Sequence, residues 1–492
     1  MRCKMIGMLL TIVSLVFAHD AQSQQWEKVI SESSNETFSS VAIDPAGGYL
    51  VTGYSDDNSS FLFHIDSLGN IDWNKTYSSG SANVSIKDII VTSNGDFVLG
   101  GENHLFKTNN VGSISLTKNT STTISILELG ANEIYTVGWE NIIKWDGNTL
   151  DSIWSRSMVA QSFSCNLKGL TELSDGNILL YGSEGNGGYK SMLKINTLGD
   201  TIWSFAEGGQ GCLAGPGTGG FTNAKGFSDG TILACDKNGN LLKLDQNGQV
   251  LWFNDYSSSY ALSWSKIIGN SNSGFFCAGT INGQGNGGDD FILMKFDGGG
   301  NILGVNTYGS ALSETLMGAV LNDTTGQILL VGKTLGFGSV QEDAYIICTD
   351  LNGFNSCNTF QGNLNSTSNS FSDCYNIGGQ SSSVTYSSAS LTENSLTPND
   401  SLLCSSVGIA ENLISNKNLL IYPNPASSYV KIDLQSKNHF ISQVEIYSIL
   451  GSHLDIKYTA GVVDFSPIPP GVYYFKFMLS NGQTITKKVI KN

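Results

Sequence analysis

The chain has 492 residues, too many for one ordinary domain of roughly 100 to 200 residues. Only 14% of them are charged, while 57 glycines and many Ser, Asn and Thr separate short runs of Val, Ile, Leu, Phe and Tyr, the composition of an all-β protein rich in turns. Residues 24–407 carry 36 acidic against 16 basic side chains, a body that repels phosphate backbones, so nucleic acid is not expected as a partner.

At the N-terminus Met1-Arg2-Cys3-Lys4 precedes an apolar run from Met5 to Phe17, then small and polar residues ending Ala21-Gln22-Ser23. This is the layout of a secretory signal peptide over residues 1–23, with cleavage expected after Ser23. Cys3 stands before the apolar run, the wrong side for a lipid-modified terminus. The run itself is too short to cross a bilayer, and no later segment approaches ~18 consecutive apolar residues, so no membrane span is expected.

Residues 24–353 contain a repeat. A turn signal followed by a β-prone run occurs at Gly47-Gly48-Tyr49, Asn94-Gly95-Asp96, Asn132-Glu133-Ile134, Asp175-Gly176-Asn177, Asp229-Gly230-Thr231, Ser273-Gly274-Phe275 and Thr325-Gly326-Gln327. Each copy is followed by a second run ending in Asp or Asn and a Gly turn, as in FLFHID, HLFKTN, MLKIN, LLKLD and LMKFD. A Trp often opens the strand after that turn, at Trp73, Trp154, Trp203 and Trp252. Turns at this spacing with period-2 strands between them indicate four-stranded blades, about seven of them, in a β-propeller.

Hairpin arithmetic sets Lys243 opposite Trp252, Lys194 opposite Trp203 and His64 opposite Trp73, where a lysine stem would lie across an indole with a cation–π contribution. The seventh copy ends at Gly353 without a Trp strand. Gln24-Gln25-Trp26-Glu27-Lys28-Val29-Ile30 has that strand's form, so the N-terminal strand is expected to complete the last blade and close the ring.

Residues 354–418 turn to Ser, Asn, Thr and Gly and read as a linker or a segment attached to the propeller. Cys357 and Cys374 flank its polar part and are the disulfide candidates, with Cys404 a rival partner and Cys165–Cys212 a second pair, in a compartment that permits them. Cys235, Cys277 and Cys348 lie inside apolar runs and read as small buried hydrophobes.

From residue 419 to 492 the sequence is a strand meander long enough for a small β-sandwich. It carries Tyr422-Pro423-Asn424-Pro425-Ala426, then Val444-Glu445-Ile446-Tyr447 leading to Gly451, then Gly471-Val472-Tyr473 and a basic end, Lys487-Lys488 to Lys491. This segment resembles the C-terminal sorting domain of type IX secretion cargo of Bacteroidota, with mild departures at Ser448-Ile449-Leu450 and Pro467-Ile468-Pro469. The resemblance covers about the last 75 residues. It implies Sec-dependent passage to the periplasm, recognition by the type IX machinery in the outer membrane, and a secreted or cell-surface destination. It also gives meaning to five Asp-Ser/Thr-x triplets similar to the O-glycosylation acceptors of such bacteria, at Ser67, Ser152, Thr201, Thr324 and Ser401; Asp and Ser as plain turn formers explain them as well.

No catalytic set is assigned. His64, His104, His439 and His453 are scattered, and the acidic residues follow the turns. Gly285-Asn286-Gly287-Gly288-Asp289-Asp290 has the composition of a calcium loop without its 12-residue ligand spacing, so no metal is assigned, and no cofactor is expected. The reading is a binding or adhesion module for a glycan or protein ligand; a secreted carbohydrate-active or peptide-cleaving enzyme on the same scaffold is the alternative.

Overall fold

The computed structural model describes residues 25–405 and 419–491, except 32–33, 81–82, 161–162, 185–188, 207–218, 258–259, 271–273, 338–340, 356–358, 363, 365, 369–377, 383–386, 388–389, 397, 423, 435–440, 449–452, 455, 457, 460 and 480–483. The expected signal peptide therefore lies outside the described residues. No helix occurs among them, and the strands pair antiparallel. In blade 1, Glu36–Ile43, Tyr49–Ser55, Ser60–Ile65 and Ile71–Ser78 pair in that order. Its last turn is built by Asp66, whose Oδ1 accepts the amides of Leu68 and Asn70, both at 2.8 Å, while Gly69 supplies a φ of 89° that other residues resist.

The same four-strand unit recurs over residues 86–119, 125–160, 163–206, 221–255 and 262–308. The seventh unit takes three strands from 314–349 and its fourth, Trp26–Ser31, from the N-terminus, pairing with Asp343–Thr349 in a register that sets Trp26 opposite Cys348. First strands of successive units lie side by side, and that of blade 7, Glu314–Asn322, lies beside Glu36–Ile43 of blade 1, so the seven units among the described residues form a closed ring. Each junction between neighbours has its own apolar cluster. Across the closing one, Trp26, Leu329 and Ile346 pack with Phe38, Val51 and Phe63.

Two recurring devices lock the neighbours. The innermost strand of six blades shifts register by one residue, at Phe38/Ser40, Ile86/Asp88, Leu167/Gly169, Phe221/Asn223, Trp264/Lys266 and Leu316/Gly318. Such a bulge turns one residue out of the ladder. Ser39 Oγ, Thr222 Oγ1 and Ser265 Oγ use this freedom to donate to Ile86 O, Trp264 O and Leu316 O of the next blade, at 2.7, 2.7 and 3.2 Å. At the outer turns, the fourth-strand Trp of one blade covers the turn glycine of the next: Trp73 on Gly112, Trp203 on Gly248, and at the closure Trp26 on Gly69, where a Cβ would stand 2.7 Å from the indole.

The Ser/Asn-rich stretch after the ring is a belt. Thr359–Gln361 adds an edge strand to blade 6, Thr367–Ser368 to blade 5, Gly378–Ser382 to blade 3, Thr392–Asn394 to blade 1 and Asn399–Ser405 to Trp26–Ser31 of blade 7. Between the third and fourth of these, Ser387 O accepts the Asn119 amide of blade 2 at 2.8 Å. Ion pairs fasten it, Lys75 to Glu393 at 2.6 Å and Lys28 to Asp400 at 2.8 Å, and its own Leu364 is buried in the apolar cluster between blades 5 and 6. The compact unit accordingly extends to Ser406, past the propeller end at 353 drawn from the repeat.

The second unit, residues 407–492, contains two four-stranded sheets. Leu419–Tyr422, Tyr429–Leu434, Val462–Asp464 and Tyr458–Thr459 form one; His453–Leu454, Ile441–Ser448, Gly471–Leu479 and Thr484–Lys491 form the other. Val430 and Val463 from the first share a single core with Ile446, Phe475, Phe477 and Val489 from the second.

Candidate functional site: the axial cavity

The third-strand lysines stand in the register that the turns require, with Lys243 opposite Trp252 and Lys194 opposite Trp203. Their ammonium groups nevertheless leave the indoles. Lys243 Nζ donates to Gly298 O at 3.0 Å, Lys194 Nζ to Gln246 O at 3.0 Å, Lys107 Nζ to Gly147 O at 3.0 Å and Lys295 Nζ to Leu351 O at 3.1 Å, each in the outer turn of the next blade. Lys107 and Lys194 also pair with Asp96 at 2.8 Å and Asp175 at 2.6 Å. An ammonium with three donors gains more from carbonyls and carboxylates than from an aromatic face, so these lysines tie blades together. The expected cation–π contact is replaced by that bond. At the histidine position the ring does stack on its indole, His64 on Trp73 at 5.5 Å and 14°.

Two other lysines face the axis. A cavity of about 290 Å³ opens among the first strands of blades 3 to 7, lined by Ser125, Thr171, Asn223, Lys225, Lys266 and Asp323 with aliphatic neighbours. The innermost strands place them there: Lys225 and Lys266 pair with Leu233 and Ala278 of the second strands of their blades, and Lys266 directly follows the bulge. Burial pushes the Lys225 ammonium below its ordinary pKa, and Asp323 partly offsets this. Asn223 fixes the wall: its Nδ2 donates to Tyr181 Oη at 3.1 Å and its Oδ1 accepts the Ile267 amide at 3.0 Å. The lining thus offers two ammonium groups, one carboxylate and several neutral donors, an arrangement suited to holding a small anionic group. Neither lysine was singled out in the sequence, where the signal available was Lys on an inner strand beside a bulge position.

The described histidines are not brought together, and His439 lies outside the described residues. His64 is held by Asp44, Asp72 and Gly47 O in blade 1, His104 sits in blade 2, and His453 lies against Tyr447 in the second unit. Among the described residues no group of three or more His, Cys, Asp or Glu is placed to hold a metal ion. Cys235, Cys277 and Cys348 are buried, and burial pushes the Cys235 thiol up to about 12. Cys404 is disulfide-bonded. Cys357 and Cys374 lie outside the described residues. Of the triplet positions, Thr201, Thr324 and Ser401 are exposed, while Ser67 and Ser152 are half-buried. Ser67 also has a structural role, its carbonyl accepting Trp26 Nε1 at 3.2 Å and Gln327 Nε2 at 3.1 Å.

In the second unit the Tyr-Pro-Asn-Pro-Ala motif clasps the last strand. Asn424 Nδ2 donates to Lys488 O and its Oδ1 accepts the Ile490 amide, both at 2.9 Å, and the buried Ala426 donates its amide to Ile490 O at 2.8 Å. Pro425 and Tyr422 are exposed. Tyr473, two residues past Gly471, is buried with its hydroxyl donating to Pro469 O at 2.8 Å. Pro423 and Gly451 lie outside the described residues.

Fold and motif together define a β-propeller joined to a small terminal export unit. Residues 420–492 match the family described as secretion system C-terminal sorting domain, which marks the chain as type IX secretion cargo. Among solved structures, the crystal structure of the WD40 β-propeller domain of Doa1 aligns over 66% of this chain and 96% of that chain, at 12% identity and a TM-score of 0.46. No curated protein matches.

Proposed function

We propose that this protein is an exported binding module of a Bacteroidota cell. Residues 1–23 direct it to the periplasm, the sorting domain carries it across the outer membrane, and the propeller, at the surface or released, captures a ligand without turnover. The observation supporting a ligand is the axial cavity, where Lys225 and Lys266 share a lining with one carboxylate, Asp323. The ligand class is an acidic group on a glycan or protein. The acidic body of the propeller opposes long polyanions, which limits the ligand to a short segment bearing one or two carboxylates or sulfates.

The test is binding of the purified chain to a panel of acidic and neutral glycans and peptides. Acidic members should bind, weakening as salt rises, and the K225A/K266A double variant should lose at least ~10-fold in affinity, about 1.4 kcal/mol. Undiminished binding by the variant would remove the cavity from the account. Release of cleaved product would favour the enzymatic alternative.

A further inference from the structure

Between blades 6 and 7, at the end of the ring that carries the loops from second to third strands, two carboxylates are buried together. Asp290 is the second residue of Asp289–Phe296 and Glu314 the first of Glu314–Asn322, and each is 0% exposed. Three glycines admit them. A Cβ on Gly309 would overlap both Asp290 Oδ1 and Glu314 Oε2, so the two oxygens converge on one spot above the Gly309 backbone. A Cβ on Gly285 would overlap Asp290 Oδ2 and stand 3.1 Å from Thr307 Oγ1, and one on Gly336 would lie 3.2 Å from Glu314 Oε1.

The two acids are provided for unequally. Glu314 Oε2 accepts the Ser310 amide at 2.9 Å, and Oε1 accepts the hydroxyls of Ser310 at 2.7 Å and Thr334 at 2.6 Å. Neither Asp290 oxygen has a partner of full hydrogen-bond geometry, and the Asn286 and Gly287 amides only partly relieve its charge. An ionised carboxylate left unpaired in the interior costs several kcal/mol, and a second carboxylate beside it adds to the cost. Burial first, and Glu314 second, push Asp290 up to about 7. Tyr345, whose hydroxyl donates to Glu27, also feels both acids and brings no cation. The covering segment, Gly283-Gln284-Gly285-Asn286-Gly287-Gly288, is largely exposed and glycine-rich, with the Gly288 amide held by Leu312 O at 2.7 Å, so an ion has a short way in.

We propose that Asp290 and Glu314 hold a hard divalent cation, calcium, with Thr307, loop oxygens and water completing the shell. Calcium suits a site made only of oxygens and of irregular shape, since it takes six to eight such ligands at about 2.3–2.6 Å without the octahedral demand of magnesium. The ion would neutralise the unpaired carboxylate and pin the Gly-rich loop of blade 6 to the first strand of blade 7. This site is separate from the axial cavity and does not rest on it.

The experiment uses the full chain stripped with EDTA at pH 8. Equilibrium dialysis against calcium chloride should find one calcium fewer per chain in Asp290→Asn than in wild type, with Glu314→Gln as the second variant should the first fail to fold. Thermal melts should rise by several degrees and saturably with calcium in wild type, less with magnesium, and stay level in the variant. Equal calcium stoichiometry in wild type and variant, or a wild-type melt indifferent to calcium, would overturn the assignment and leave the pair sharing a proton.

Discussion

Trp26 shows how much one side chain carries in a ring that must meet its own beginning. It is fully buried, donates to Ser67 O and roofs Gly69. Gly69→Ala should therefore cost more than Gly95→Ala. Both glycines have positive φ, 89° and 82°, but a Cβ at Gly95 meets open space whereas one at Gly69 meets the indole. Strain of about 1–3 kcal/mol is common to both, and the overlap adds roughly 1–3 kcal/mol at Gly69 alone. Urea unfolding of the two variants checks this, and equal losses would show that the turn rather than the closure sets the cost. Asp290 offers a second residue-scale expectation. Its folded pKa, about 7, lies above the ordinary 3.8, so the folded state binds the extra proton. In EDTA its contribution to stability is fully present at low pH and is lost as pH rises from about 4 through 7, at up to about 1.4 kcal/mol per unit. Asp290→Asn should flatten that slope in melts taken across the same range.

At the scale of elements, the terminal strand and the belt differ in kind. Trp26–Ser31 is the fourth strand of a blade and buries Trp26, Val29 and Ile30. At roughly 1.5–3 kcal/mol for each buried side chain, its removal takes several kcal/mol from a net stability of about 5–15 and opens the ring. Deleting residues 25–31 should abolish a cooperative melt. The belt adds edge strands, two ion pairs and the buried Leu364 to a ring that is already closed, so ending the unit at residue 355 should leave a cooperative melt at lower temperature, with uncovered edges that make the fragment prone to aggregate. Light scattering alongside calorimetry separates the two outcomes. The belt was the least legible element, because an edge strand pairs through its backbone, and a Ser/Asn-rich run can do so without apolar alternation. The blades were legible because each hairpin is local, its Asp-x-x-Gly turn and its period-2 pattern lying within some forty residues of sequence, as at Asp245 to Gly248.

At the scale of the whole molecule, the ring with its belt and the sorting domain are separate compact units, so removing residues 419–492 should leave the melt of the first unit unchanged while stopping its appearance outside the cell. Fractionation of cells making the truncated chain tests this, and normal amounts in the medium would count against the sorting role. The amino-acid sequence by itself determined the all-β class, the repeat, the Lys–Trp register and the terminal export motif, since each is written in neighbouring residues. Only the tertiary structure decided where the lysine ammonium groups go, because their acceptors lie in the next blade, as Gly298 does for Lys243. It alone decided the axial cavity, assembled from first strands of five blades, and the meeting of Asp290 with Glu314 over Gly309. Such sites join side chains that hairpin periodicity never places together, and the packing of neighbouring blades brings them into contact.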